Sequence, residues 1–562
     1  MSDELKHECA VAMVVLRRPP SATGDFGGTK LSLLLEKQHN RGQDGAGAAI
    51  LSCHPESGYM PYWVFKSSSS TALADLLGAI GKRHEQSAIP LFDAGSSERI
   101  FLGHLRYATF GKNEVAFCHP FVHQASELCH TVLLAGNFNL TNAADLFEDY
   151  RRHGAFATSK SDGYLLCELI ARELGRAPLA TALANALAHA DGAWTLCGMT
   201  GDGWAFATRD PHGIRPGFYY VDDDVAVVAS ERPAIQAAFD IPPEAVRELP
   251  PGQALIISPE GEVQMSELSS DITKIPRPCA YERIYFSRAN DADIHRERKA
   301  LGAALLPQIL QAADAPLEDI FFSYIPNSAR IAFHGLLERL FDEHGKIRFG
   351  EVAVKDAKFR TFIADAAARR EFYKHVYDVT YGLVRPGLDT LVVLDDSIVR
   401  GNTMKNAILP MLDRLGPKRI VVASSAPPIR YPDCYGIDMS TLDELVAFRA
   451  LVNLLGTDAE KELWGAAVPA ASHDEPPGRR LSMLYARFTE EQHIAEIARL
   501  LTPPGMKAEV RVVYQTVDAL HAACPGSSGD WYFTGDYPTP GGYKVLHQAL
   551  LNYLDHKGGR SY

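Results

Sequence analysis

The hydrophobic pattern changes character along this chain. Over roughly its first 270 residues, short apolar runs at Ala10–Val15, Ile100–Leu102, Thr131–Leu134, Trp204–Thr208, Val225–Ala229 and Ala254–Ser258 predict strands. Apolar residues at helical spacing over Leu31–Lys37, Gly163–Leu174 and Leu179–Ala188 predict interspersed helices. The last strand runs into Pro259-Glu260-Gly261, which reads as a hairpin turn. Around Pro276 and Pro278 the pattern breaks, marking a domain junction. From about 280 to 445, strands at Ile320–Ile325, Leu391–Leu394 and Ile420–Ala423 alternate with helical segments, as βαβ units do. Residues 466–480, rich in Ala, Pro and charge, read as a surface linker before a last α/β portion and a polar tail.

Length and composition narrow this picture. At 562 residues the chain is too long for one core and implies two large domains. A formal net charge of -13 disfavours a nucleic-acid binder, which needs a basic face against phosphates. No apolar run has membrane-spanning length, and no signal peptide precedes the first strand. Nine cysteines, scattered from Cys9 to Cys524, make no disulfide framework, so a reducing cytoplasm is expected.

The chemistry concentrates in Leu391-Val-Val-Leu-Asp395-Asp396-Ser397-Ile398-Val399-Arg400-Gly401-Asn402-Thr403. Strand, polar loop and helix in succession place ligand groups at the carboxyl end of an open α/β sheet. Amides at the helix start can hold a phosphate; Gly401 allows close approach, and Thr403 can cap the helix and bond a phosphate oxygen. Two aspartates beside a phosphate site would repel an anion. Vicinal ribose hydroxyls, with a bridging divalent cation, give them a purpose.

A second constellation lies near the amino terminus. Cys9 precedes the first strand, and Arg41, Gln43 and Asp44 occupy a Gly-rich turn. Arg106 and Thr109 follow one strand, Asn137 and Phe138 another, and Asp162 opens a helix. Arg106 offers a planar fork for an α-carboxylate, Asp162 a partner for an α-ammonium, and Asn137 a donor to a developing oxyanion. Together they could hold a free amino acid and attack its amide.

The loop Asp395–Thr403 resembles the phosphoribosyl-diphosphate (PRPP) signature of the type I phosphoribosyltransferases, and the series around Cys9 resembles the class II (Ntn-type) glutamine amidotransferases. That second resemblance implies that residues 1–8 are a propeptide. The freed α-amine of Cys9 then serves as base, with Asn137 and the Phe138 N–H forming the oxyanion site and Arg106, Thr109 and Asp162 binding glutamine. Two positions depart from that family's pattern: Ala10 follows the nucleophile, and Phe138 stands in an Asn-Gly pair. Both resemblances, through at least eight motifs in order over roughly residues 9 to 540, make the chain similar to the amidophosphoribosyltransferases. The fold implied is an N-terminal αββα sandwich (9–270), a phosphoribosyltransferase domain with a central parallel sheet (271–470), and an extension (471–562) packing on it.

The resemblance also assigns Asn327 and Ser328 to a pyrophosphate loop, Arg360 to a flexible loop over PRPP, and Tyr285 to coupling between the sites. Asp395, Asp396, Ser397, Ile398, Val399, Arg400, Gly401, Asn402 and Thr403 bind PRPP, with Ser328, Asp395 and Asp396 near Mg²⁺. A lysine common later in the flexible loop falls on Val376, with Arg370 and Lys374 nearby. An iron–sulfur cluster in some members uses four cysteines. Here those positions are Cys279, Asp433 (with Cys434 adjacent), Gly529 and Tyr532, so no cluster is expected. Cys118, His119, His123, Cys129 and His130 fit no common zinc spacing.

The expected partners are glutamine, PRPP and, as feedback inhibitors, purine nucleotides, in a homo-oligomer (dimer or tetramer) touching neither nucleic acid nor membrane. Three rivals stand beside this. A glucosamine-6-phosphate-type synthase lacks a PRPP loop. A PRPP-sensing repressor needs a basic element, and an ammonia-only enzyme leaves Cys9 unprocessed.

Overall fold

The computed structural model describes residues 9–18, 25–52, 62–86, 98–107, 114–269, 275–355, 377–437, 439–467 and 477–557. The first half contains thirteen described strands. They are β1 (Ala10–Leu16), β2 (Gly45–Ser52), β3 (Tyr62–Ser67), β4 (Glu98–Arg106), β5 (Phe121–His123), β6 (Val132–Leu140), β7 (Gly192–Thr200), β8 (Ala205–Arg209), β9 (Phe218–Val221), β10 (Val225–Ala229), β11 (Arg247–Glu248), β12 (Gln253–Ile257) and β13 (Val263–Glu267). They form two antiparallel sheets, ordered β11-β9-β10-β1-β4-β2-β3 and β13-β12-β8-β7-β6-β5.

β1 explains the layering. All seven of its residues are buried, so both faces must be covered. Ala10, Ala12, Val14 and Leu16 pack under helices α1 (Phe26–Lys37), α2 (Ala72–Gln86) and α6 (Arg232–Phe239). Val11, Met13 and Val15 face the second sheet, meeting Leu133, Cys197, Met199 and Ala207. Full burial of such side chains contributes about 1.5–3 kcal/mol each. Helices α3 (Ala143–Arg152), α4 (Asp162–Leu174) and α5 (Leu179–Leu187) cover the second sheet's outer face, completing an αββα sandwich. The hairpin turn falls where the Pro259-Glu-Gly pattern puts it, with the Gly261 N–H donating to Ser258 O at 2.9 Å.

The second half is built on a parallel sheet. Its strands are β14 (Ile320–Tyr324), β15 (Arg348–Phe349), β18 (Thr390–Asp395), β19 (Arg419–Ser424) and β20 (Glu509–Tyr514), ordered β15-β14-β18-β19-β20. A short antiparallel pair, β16 (Ala353–Lys355) and β17 (Tyr377–Val379), flanks residues 356–376. Helices α7 (Ala292–Ala304), α8 (Leu306–Ala313) and α9 (Arg330–His344) precede or follow β14. β18 is central and its Leu391–Leu394 core is wholly buried, which is why four consecutive apolar residues were needed there.

The carboxyl-terminal part is more integrated than a packed extension. β20, from residues 471–562, supplies the fifth strand of the second sheet, pairing with β19 from Arg419↔Glu509 to Ser424↔Tyr514. The expected 466–480 linker is interrupted by helices ending at Ala467 and starting at Pro477, leaving 468–476 outside the described residues. The tail also reaches the first half: Asp191 accepts the Gly541 N–H at 2.8 Å and the Thr539 hydroxyl.

Candidate functional site

The thiol end of the site is assembled by the first sheet. Cys9 sits just before β1, whose Ala10 pairs with Leu105 of β4, so the thiol lies at the end of the strand carrying Arg106. The Tyr107 N–H donates to Cys9 Sγ at 3.3 Å. Arg106 is buried, its guanidinium over the Phe117 ring at 5.8 Å. Gly42, in the Arg41–Asp44 turn, packs so tightly on β4 that a Cβ there would lie 2.5 Å from the Leu105 carbonyl carbon. The turn is thereby seated on the strand ending at Arg106.

Burial pushes the Cys9 thiol up to about 11; the Tyr107 main chain and Arg106 pull it down, whereas Asp162 and Asp44 push it further up. At neutral pH it is therefore a thiol and needs a base to become a nucleophile. Asp162 begins α4 and is raised to about 6 by burial, opposed by the Gly163 and Leu140 main chain. If its anion holds the glutamine ammonium, glutamine-dependent kcat/KM should fall as pH drops through about 6, since the neutral acid loses the charge that pairs. Ammonia-dependent turnover, expressed per unit of NH₃, should show no such step. A profile with no change of slope near pH 6, showing only the single fall set by the Cys9 α-amine, would remove Asp162 from this role.

Asn137 and Phe138 lie on β6, opposite Thr195 and Trp194 of β7. Asn137 is buried, and the Phe138 ring packs on His119 at 5.3 Å. Thr109 and Arg360 lie outside the described residues, as do residues 1–8, expected to be a propeptide, and Arg370, Lys374 and Val376.

At the other end, the dyad closes one side of a cavity of about 840 Å³. Asp395, Asp396, Ser397, Ile398, Val399, Gly401 and Thr403 line it together with Asn327, Ser328 and Tyr285. Arg400 and Asn402 do not; the Arg400 guanidinium pairs with Glu444 at 2.7 Å, behind the loop. Gly401 has φ +75°, a backbone conformation that favours glycine, and a Cβ there would displace the end of the Leu501 side chain, 2.2 Å away. The Ser328 and Ser397 hydroxyls both donate to Asp396, whose carboxyl burial raises.

Several groups at this cavity carried no signal in the sequence. Arg298, buried on α7, is pushed down to about 10 by burial and held up by Asp396. It donates to Arg283 O and Ser287 O at 2.8 and 2.7 Å. Arg330 also lines the cavity, as do Lys37 and Asn40 from the first half. Tyr281 donates its hydroxyl to Ser397, whereas Tyr285, four residues on, packs against it at 6.1 Å between centroids. A buried cluster joins the halves beside them: Arg41 donates to Glu231 at 2.7 Å and bidentately to Glu282 at 3.0 and 2.7 Å.

Three all-oxygen donors, Asp395, Asp396 and Ser328, converge on the cavity, a set that suits a hard cation such as Mg²⁺. The four cluster positions also converge, but not as a cluster site. Cys279 bridges to Gly529, its thiol lies 3.3 Å from the Tyr532 hydroxyl, and Asp433 accepts the Trp531 indole N–H at 2.9 Å. One thiol, with Trp531 and Tyr532 filling the space, does not fit a cluster bound by four thiolates. Of the amino-terminal Cys and His residues, Cys118 donates to Ser67 O and His123 pairs with Glu168 at 3.1 Å. Among the described residues only Glu127, Cys129 and His130 bring three ligand atoms together, on the surface. The eight described cysteines are free, and among the described residues no helix is long and apolar enough to cross a membrane.

Fold and site together define a glutamine amidotransferase joined to a phosphoribosyltransferase. A family model described as a glutamine amidotransferase domain matches residues 119–237. The amidophosphoribosyltransferase of Bacillus subtilis is 33% identical over 354 residues, 62% of this chain and 69% of that protein. The Pseudomonas aeruginosa enzyme of the same name is 31% identical over 436 residues, 73% of this chain and 78% of its own. The chain belongs to the amidophosphoribosyltransferase family. Among solved structures, the B. subtilis glutamine PRPP amidotransferase with ADP and GMP superposes with TM-score 0.67 at 26% identity, covering 94% of this chain and 97% of that one. A structure described as the allosteric regulatory enzyme of purine biosynthesis gives TM-score 0.68 at 26% identity, covering 94% and 96%.

Proposed function

We infer that this chain transfers glutamine-derived ammonia to C1 of PRPP, giving 5-phosphoribosylamine, glutamate and pyrophosphate, the first step of de novo purine biosynthesis. One observation carries this: a thiol beside Arg106 and Asp162 and an acidic dyad on a phosphate loop share one chain, and the dyad's cavity is walled partly by Lys37 and Asn40 of the thiol's half.

In this reading, removal of residues 1–8 frees the Cys9 α-amine, whose near-neutral pKa lets it take the thiol proton. The thiolate attacks the glutamine carboxamide carbon, while Arg106, Thr109 and Asp162 hold the substrate's α-groups. The tetrahedral oxyanion rests on the Asn137 side chain and the Phe138 N–H. Collapse breaks the C–N bond and releases ammonia; water then cleaves the thioester to glutamate.

At the second site, Asp395 and Asp396 hold the ribose hydroxyls, the 397–403 loop a phosphate, and Asn327, Ser328 and Arg360 the pyrophosphate. Asp395, Asp396 and Ser328 are the residues to hold Mg²⁺, which when bound offsets the charge of the departing pyrophosphate. The C1–O bond breaks as C1–N forms, and the ammonium product loses a proton. Tyr281 and Ser397, with Tyr285 beside them, link this site to the segment that anchors Arg41. Purine nucleotides as inhibitors, a homo-oligomeric state, a cytoplasmic location and the absence of an iron–sulfur cluster belong to the same reading. The ADP and GMP bound by the B. subtilis relative support the first.

The direct test measures glutamate release from glutamine with and without PRPP. Saturating PRPP should raise it at least about tenfold, a lowering of the activation free energy by about 1.4 kcal/mol or more. Equal rates would argue against a coupled two-site enzyme.

A further inference from the structure

Two histidines outside the roles above grip the oxyanion strand. β5 stops at Phe121, opposite Leu134, so among the described residues the edge of β6 beyond that point has no strand beside it. His119 and His104 take the strand's place. The Gly136 N–H donates to His119 Nδ1 at 3.2 Å, and His104 Nε2 donates to the Gly136 carbonyl at 3.1 Å. Both rings are buried and stack at 3.9 Å between centroids, 13° apart.

Strand alternation gives this grip a consequence. Main-chain groups two residues apart on a strand point to the same edge, so the Phe138 N–H faces the edge that the histidines hold at Gly136. The intervening Asn137 pairs its backbone on the β7 side. His104 belongs to the other sheet, two residues before Arg106 and opposite Val11, itself two residues after Cys9. The His119 carbonyl packs on that sheet as well, since a Cβ on Gly47 would lie 2.0 Å from it. The pair therefore spans from the sheet bearing the thiol to the strand bearing the oxyanion donors.

We propose that His104 and His119 are positioning residues for glutamine cleavage, fixing Asn137 and the Phe138 N–H relative to Cys9 by holding both main-chain polar groups of Gly136; this rests on the oxyanion role given to Asn137 above. The hydrogen bonds require a proton on Nε2 of His104 and a neutral His119 with its Nδ1 bare, because the carbonyl only accepts and the N–H only donates. Burial keeps them so, holding His104 down at about 3 and His119 well below its ordinary range. Neither ring is placed to touch the reacting atoms; they act through the strand.

The test uses the full-length enzyme and paired variants. His119→Asn keeps an acceptor near the Nδ1 position and His104→Gln a donor near the Nε2 position, whereas His119→Val and His104→Leu remove them. Val and Leu should lower glutamine-dependent kcat about ten- to hundredfold, the size expected for misplacing rather than deleting a donor. KM for glutamine should change less than about twofold and ammonia-dependent turnover should be unchanged, with Asn and Gln recovering most of the loss. Full glutamine activity in the Val and Leu variants overturns the proposal, as does a loss spread equally over both activities that Asn and Gln do not recover. Asn137→Ala separates the two levels. If it is impaired while the histidine variants are normal, the clamp alone fails; if it retains full glutamine activity, the oxyanion reading and the clamp fall together.

Discussion

Cys9→Ala should reduce glutamine-dependent formation of phosphoribosylamine by at least about 10⁴-fold, the scale at which loss of a covalent nucleophile acts. The same variant should make product from ammonium salts at close to the unmodified rate, because the PRPP cavity contains none of the thiol's neighbours. The magnitude follows from the site itself. Without the thiol the amide must be hydrolysed by water, which lacks the covalent route. Parallel assays with glutamine and with ammonia decide it. Equal loss of both activities in a variant that keeps its thermal midpoint would contradict the two-site scheme.

The second large effect is expected at the acidic dyad. Asp395→Asn with Asp396→Asn keeps the shape of the loop while removing both charges. Truncating or neutralising one partner of a buried, hydrogen-bonded charge set commonly costs about 2–5 kcal/mol, so PRPP should bind at least about 30-fold more weakly. Basal glutamate release without PRPP should be little altered, since Cys9 lies in the other half. Stimulation of that release by PRPP should vanish at concentrations that saturate the unmodified enzyme. PRPP titration followed by glutamate release reads both quantities, and an unchanged midpoint would refute the ligand role of the pair.

What the sequence discloses depends on how local the cause is. β18 and its loop were legible because a strand buried on both faces must be continuously apolar and the loop chemistry follows within nine residues. β2, with the sequence Gly-Ala-Gly-Ala-Ala-Ile-Leu-Ser, was not foreseen. Its glycines and alanines argue against a strand; the glycines are there because Cys118 lies against Gly45 and His119 against Gly47. Arg298 escaped notice for a related reason: on an amphipathic helix it reads as one more surface cation, and only the tertiary fold turns it toward Asp396. Tyr281 and Tyr285 cannot be ranked from sequence, because the hydroxyl partner Ser397 lies 116 residues away. Cys9, Arg106, Asn137 and Asp162 could be named individually, but the bond of His104 to the strand between them could not.

The Arg41 cluster bears on how the polypeptide matures. Glu282 is 241 residues downstream of Arg41, and the Gly541 amide that binds Asp191 is 350 residues beyond it. A ribosome therefore finishes every strand of the αββα sandwich before it adds Glu282, the second carboxylate on the sandwich's buried guanidinium after Glu231, and the clasp on Asp191 emerges only with the last helix. Expression of the leading 270 residues alone would leave that guanidinium paired with Glu231 but without its bidentate partner, so the sandwich is completed by the trailing half rather than merely attached to it.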